Sequence, residues 1–293
     1  PPGHYCPEGS AAPTQCPPGR NSSSTGLQVL SDCPLCTAGY HCPTNGTVMA
    51  TALCPAGYHC PSGTANPTSM GLQLSCPTGS FCPLGSVLPV DCLAGTYQDE
   101  RGQSTCKTCP AGSYCPQQTT TPIACPRGSF CPAGTTHATE HLCPVSTFGA
   151  TESLGSVSDC SPCTPGMYCM SAGLASPTGL CQAGYFCGGG SSSAAPHQGP
   201  TNDICPPGHY CPEGSAAPTQ CPPGRNSSST GLQDLSDCPL CTAGYHCPTN
   251  GTVMATAKCP AGYYCPSGTA NPTSMGLQLS CPTGSFCHLG SVL

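Results

Sequence analysis

Tryptophan is absent from this 293-residue chain, and charge is nearly so: Lys and Arg number 6, Asp and Glu 12, giving 6% charged residues and a formal net charge of -6. So few cations form no basic stripe, which excludes electrostatic recognition of nucleic acid or of an anionic lipid surface. Leu, Ile, Val and Phe together supply only 35 residues. That is too little for a conventional hydrophobic core, since globular chains are about half apolar. No stretch approaches the ~18 apolar residues of a membrane-spanning helix. Punctuation excludes long helices as well. No run free of both Gly and Pro exceeds nine residues, the longest being Thr135 to Cys143, whereas isolated helices need about a dozen. With neither an initiator Met nor a secretory leader, the chain reads as a window of a longer mature protein.

What is abundant is Cys, Gly and Pro, at 31, 37 and 37 residues. Gly and Pro at about a quarter of a chain signal low complexity, whereas Cys above about 10% signals a disulfide scaffold. The regular cysteine spacings decide for the scaffold. So many thiols imply an oxidising compartment, and hence a secreted or extracellular protein. Charge is also far below the roughly 25–35% of surface positions that keeps small domains apart. Glycans or burial in an assembly must supply the solvation that charge does not.

Residues 1–88 recur as residues 206–293 with four differences: Val29 against Asp234, Leu53 against Lys258, His59 against Tyr264, and Pro83 against His288. Repeats of such fidelity read as a tandem array whose units contact mainly their neighbours. Within each period a lone Cys is followed by C-x2-C-x5-C and further C-x5-C pairs. This divides the chain into the end of a truncated module at 1–15, an eight-Cys module at 16–91 and a six-Cys module at 92–142. A second eight-Cys module follows at 143–220, and a second copy of the first module at 221–293. Cys6 matches Cys211, whose companion Cys205 has its counterpart just before Pro1, so Cys6 is expected to be unpaired.

Spacing alone does not fix which bonds form. A six-cysteine core of this pattern permits Cys16–Cys33, Cys36–Cys54 and Cys42–Cys60, with Cys76–Cys82 closing locally. A bridge closing about 15 residues contributes on the order of 3 kcal/mol by restricting the unfolded chain, so the bridges of one period can replace the missing core.

The recurring C-P-x-G-x-Y/F-C, as in Cys54 to Cys60 and Cys125 to Cys131, places Pro and Gly where tight turns need them. The fold class that follows is a tandem of small disulfide-rich modules, mostly irregular, with short β-hairpins and almost no helix. An elongated rod is expected, with a radius of gyration above the ~19 Å of a compact chain of this length. The aromatic residues fall beside the cysteines and are expected to cover disulfides rather than form a ladder for sugars. Gly188 to Ser193 reads as a flexible surface loop.

Chemistry-bearing motifs are few. Cys33-x2-Cys36 with His41 and Cys42 has zinc-ligand types, but the second module has Ser113 and Tyr114 where the first has Tyr40 and His41, so no metal site is assigned. No catalytic motif is present, His59 becomes Tyr264 between near-identical copies, and no enzyme activity or cofactor is expected. N-glycosylation sequons stand at Asn21, Asn45, Asn226 and Asn250, whereas Asn66 and Asn271 precede Pro. Ser22 to Thr25 and Thr119 to Thr121 are candidate O-glycan segments.

The C-P-x-G-x-Y-C turns, as in Cys109-Pro110-Ala111-Gly112-Ser113-Tyr114-Cys115, resemble the ephrin-receptor-like cysteine-rich repeats. Those are similar in turn to growth-factor-receptor and tumour-necrosis-factor-receptor modules. The likeness covers essentially the whole chain and is specific for the module, not for an activity. It implies a spacer of large secreted or surface proteins, such as the shafts of ciliary hairs, or part of a receptor ectodomain. The extra C-x5-C in the first and third modules departs from the receptor pattern. The leading expectation is a glycosylated, disulfide-stapled structural protein that self-associates in an extracellular fibre or cell-surface appendage. The alternative is a receptor or adhesion ectodomain holding a protein or glycan.

Overall fold

The computed structural model describes residues 1–69, 73–274 and 278–292. The chain divides into two units. One comprises Pro1–Pro126, Phe130–His141 and Glu152–Ser156, the other Arg127–Ser129, Leu142–Thr151 and Val157–Leu293. Both are built from the same short element, a rung that starts at a cysteine and reverses three residues on, at a glycine or, after Cys143, at Ser146 with φ of +74°.

In the first unit, the rungs opening at Cys36 and Cys54 show the design. The turn glycines Gly39 and Gly57 hold φ of +84° and +87°, a region in which an L side chain costs energy. The reversal creates hairpins of two residues per strand, such as Tyr40–His41 against Ala52–Leu53. Ten such two-stranded antiparallel pairs occur among the described residues, the longest being Tyr185–Cys187 against Asn202–Ile204 in the second unit. No α-helix occurs among the described residues; the helical elements there include single 3₁₀ turns at Leu30–Asp32, Val157–Asp159 and Leu235–Asp237. The protein is thus a tandem of small, disulfide-rich, largely irregular modules with short hairpins, as its Gly and Pro content dictates.

Backbone hydrogen bonds join one rung to the next in a fixed pattern. The opening cysteine donates its N–H to the previous turn glycine, as Cys36 does to Gly19 and Cys54 to Gly39, both at 2.8 Å. The turn glycine donates to the position six residues after the next opening cysteine, as Gly19 does to Cys42 at 2.9 Å. Rungs also meet two steps apart: a Cβ on Gly19 would lie 2.5 Å from the Gly63 carbonyl oxygen, and one on Gly166 2.5 Å from that of Gly214. The opening cysteines of one sequence period are Cys16, Cys36, Cys54, Cys76, Cys92, Cys109, Cys125, Cys143, Cys163, Cys181 and Cys205, after which Cys221 restarts the series.

The disulfides correct part of the expected pairing. Cys36 is bonded to Cys42 and Cys54 to Cys60, with Cα–Cα separations of 6.0 and 5.7 Å, in place of Cys36–Cys54 and Cys42–Cys60. The glycine reversal brings cysteines six residues apart within the reach of a bridge, so each rung closes on itself. Cys36 and Cys54 occupy the same position in consecutive rungs. Cys16 is bonded to Cys33 and Cys76 to Cys82. The long bridges arise where the sixth residue after the opening cysteine is not Cys but Ser22, Gln98, Gly149 or Ser227; there Cys16, Cys92, Cys143 and Cys221 reach on to Cys33, Cys106, Cys160 and Cys238. Those four substitutes are buried, and each accepts the backbone N–H of the preceding turn residue as a cysteine would, from Gly3, Gly79, Gly128 and Gly208 respectively.

Sulfur forms the interior of both units. Among the described residues, the buried apolar side chains are half-cystines apart from Leu74, Phe186 and Leu279 and the prolines Pro67, Pro196 and Pro272. Disulfides therefore do the packing as well as the cross-linking, which is how a chain so poor in aliphatic residues has an interior at all.

The segment Gly188 to Ser193 differs from the flexible surface loop read in the sequence. Gly188 donates to Thr201 O at 2.7 Å, Gly190 to Cys163 O at 2.8 Å, and Ser191 is fully buried with its hydroxyl on Ser193 O at 2.9 Å. Gly188 serves close approach, since a Cβ there would lie 2.6 Å from Thr201 O.

Candidate functional site

The zinc-type residues are committed elsewhere, since Cys33, Cys36 and Cys42 are all in disulfides. A bridged sulfur is not a thiolate and does not bind metal in that way. His41 Nδ1, His59 Nδ1 and His246 Nδ1 are buried nitrogens without a hydrogen-bond partner. Cys6 is a free, exposed thiol.

Ionisable groups act on local backbone. The Asp32 carboxylate accepts from the backbone N–H of Gln28 and Val29 at 2.8 and 3.0 Å, and these bonds hold its pKa below the ordinary value. Asp234, which replaces Val29 in the second copy, accepts from the hydroxyl and backbone N–H of Ser236, and its pKa is lowered accordingly. It caps the 3₁₀ turn that Val29 leaves uncapped. Lys107 donates to Asp99 at 2.7 Å, raising its own pKa and lowering that of Asp99. Glu140 accepts from the N–H and hydroxyl of Thr136 at 2.7 and 2.8 Å, which lower its pKa, and both His137 and His141 approach it at 3.7 Å. All these groups lie at or near the surface, Lys107 on the strand Lys107–Thr108 and the others on turns or irregular backbone, and each orders the chain next to it.

A recurring position for an aromatic ring lies five residues after the opening cysteine, as for Phe81, Tyr114, Phe130, Tyr168 and Phe186, whereas Tyr40, Tyr58 and Tyr185 stand four residues after theirs. Phe186 is buried in a cluster with Cys205 and Cys211, the arrangement expected of a ring that shields a bridge. The other four at that fifth residue are half-buried. Asn21 and Asn226 take that same position in their rungs and are half-buried too; Asn45 and Asn250 lie on exposed turns. Of the O-glycan segments, Ser22 is buried at 4% exposure and Thr119 at 8%, with the Thr119 hydroxyl donating to Pro116 O.

The aliphatic side chains are on the outside. Met49 and Leu84 are each 64% exposed, and their copies Met254 and Leu289 are 65% and 64% exposed. Val48, Val87 and their copies Val253 and Val292 are exposed as well. Exposed apolar side chains therefore recur with the sequence period, except where charged residues replace them, as Asp234 does Val29 and Lys258 does Leu53. In the first unit, Phe81, Val90, Leu93, Thr96, Thr105 and Cys106 also line an open apolar cleft of about 330 Å³.

No protein-family model matches the chain, and none of the curated proteins is similar to it. The architecture itself defines a cysteine-rich repeat protein. Its fifteen disulfides fit an oxidising, extracellular setting, and no described helix is long and apolar enough to cross a membrane.

Proposed function

We propose that the chain is a non-catalytic, glycosylated structural protein that self-associates in an extracellular fibre or cell-surface appendage, with a rung architecture akin to ephrin-receptor-like repeats. The observation that carries this reading is the recurrence of the exposed apolar side chains Val48, Met49, Leu84 and Val87 in the second copy as Val253, Met254, Leu289 and Val292. A fibre needs the same contact at every repeat, and heterologous contacts of one repeated patch generate open assemblies. Exposed apolar side chains on a surface with so little charge favour burial against other chains. Sedimentation and electron microscopy of the full-length secreted chain test the idea. Filaments that dissolve when Met49, Leu84, Met254 and Leu289 are changed to Glu support it. Monomers that stay monomeric at high concentration contradict it.

A receptor or adhesion ectodomain is the second reading, favoured by the apolar cleft at Phe81, Val90 and Leu93. A protein or glycan ligand displaced by Leu93→Glu, without change in assembly, would select it.

A further inference from the structure

The four sequons differ in what the fold does with them. We infer that Asn45 and Asn250 carry N-linked oligosaccharides, whereas Asn21 and Asn226 are structural residues that stay bare; this rests on the extracellular reading above.

The rung that opens at Cys36 has a turn one residue longer than its neighbour. Cys60-Pro61-Ser62-Gly63-Thr64 is matched by Cys42-Pro43-Thr44-Asn45-Gly46-Thr47. The backbone partners fix the alignment: Gly63 donates to Cys36 O and Gly46 to Cys16 O, both at 2.8 Å. Thr64 and Thr47 each donate a hydroxyl to the carbonyl three residues back, at 2.7 Å. Asn45 is the extra residue. It is exposed, as is Asn250, while Gly46 beside it holds the turn to the preceding rung through its N–H bond to Cys16 O. An oligosaccharide on Asn45 enters solvent without displacing a rung.

Asn21 and Asn226 stand where other rungs place an aromatic ring, followed by Ser22 and Ser227 buried in the place of a cysteine. Asn21 N–H donates to Pro34 O and Asn226 N–H to Pro239 O, both at 3.1 Å. Asn226 Nδ2 donates to Val253 O at 3.5 Å, and its Oδ1 lies 4.0 Å from Cys247 Sγ. That nitrogen is the atom a glycan requires. In transfer, Nδ2 bonds to the anomeric carbon of a lipid-linked oligosaccharide, the lipid diphosphate departs, and the amide loses one proton. Transfer takes place on the unfolded segment, so the fold determines whether the product can close. At Asn45 it closes unchanged. At Asn226 the sugar would occupy the space between the amide and Val253.

The two copies provide internal replication. Glycopeptide mapping of the full-length secreted chain, with enzymatic deglycosylation in heavy-oxygen water to mark occupied sites, is expected to find Asn45 and Asn250 modified and Asn21 and Asn226 unmodified. Asn45→Gln should remove one glycan and leave the bridges intact. Asn21→Gln should leave the glycan content unchanged. Equal occupancy at Asn21 or Asn226 overturns the inference, and so do bare Asn45 and Asn250. Four bare sites on a fully disulfide-bonded secreted chain defeat this inference alone. Four bare sites on a chain whose thiols are reduced defeat the extracellular reading with it.

Discussion

The carbonyl oxygen of Gly63 occupies the place where a side chain on Gly19 would begin, 2.5 Å from the position of a Cβ. Gly19 also has φ of +84°, so both the backbone conformation and the neighbouring rung demand glycine. Gly9 has φ of +76° but meets nothing within 4 Å. Gly9→Ala should therefore cost only the left-handed conformation, about 1–2 kcal/mol. Gly19→Ala adds a steric cost of about 1–3 kcal/mol. Thermal or urea unfolding of the two variants measures the difference, and equal destabilisation would contradict the rung contact.

Ser22 stands where a rung normally has its second cysteine. The paired change Ser22→Cys and Cys33→Ser should therefore give a folded chain in which Cys16 is bonded to residue 22. By loop entropy alone the shorter bridge contributes about 2 kcal/mol, against about 3 kcal/mol for the native one. Peptide mapping without reduction checks the bond. Failure of the new bridge to form would show that the two positions are not equivalent.

Asp32 supplies a pH dependence whose direction is fixed. Backbone N–H bonds from Gln28 and Val29 hold its pKa below the ordinary carboxylate value, so folding favours the ionised form. Its contribution is present above the ordinary carboxylate pKa of about 3.9 and is lost as pH falls through the depressed folded value. Asp32→Asn should lower stability slightly at neutral pH and leave it unchanged in strong acid. Lys107 runs the other way. Its pKa is raised chiefly by the hydrogen bond to Asp99, so its contribution is complete below the ordinary lysine pKa and fades as pH rises through the folded value. Unfolding curves across the pH range, with Lys107→Met for comparison, measure both.

Reduction should proceed in order. Cys106 and Cys281 are only half-buried, whereas Cys36, Cys42, Cys54 and Cys60 are sealed. Mild thiol treatment followed by alkylation should label the Cys92–Cys106 and Cys281–Cys287 pairs first. Complete reduction should then abolish the folded spectrum, because little other apolar packing remains. Simultaneous labelling of all pairs would contradict the burial seen here.

Composition made the broad architecture legible. Thirty-one cysteines with so little aliphatic residue left sulfur as the material for an interior, and Gly and Pro forbade helices. The pairing of Cys36 and Cys42 was harder to read. Grouping cysteines into six- and eight-membered modules hid the single-bridge rung, although one signal was present. Wherever Ser22, Gln98, Gly149 or Ser227 replaces the second cysteine, an extra Cys follows within the same rung. Gly188 to Ser193 misled because glycine permits close backbone approach as readily as it permits motion. Asn21 could not be told from Asn45 by motif, because the sequon is local and the position in the rung is not.

Mapping the disulfides of the secreted chain by mass spectrometry of an unreduced digest tests the central claim most directly, that every rung is closed by its own bridge. The account predicts Cys36 with Cys42, Cys54 with Cys60 and Cys16 with Cys33. Recovery of Cys36 joined to Cys54, or of Cys42 joined to Cys60, would contradict it.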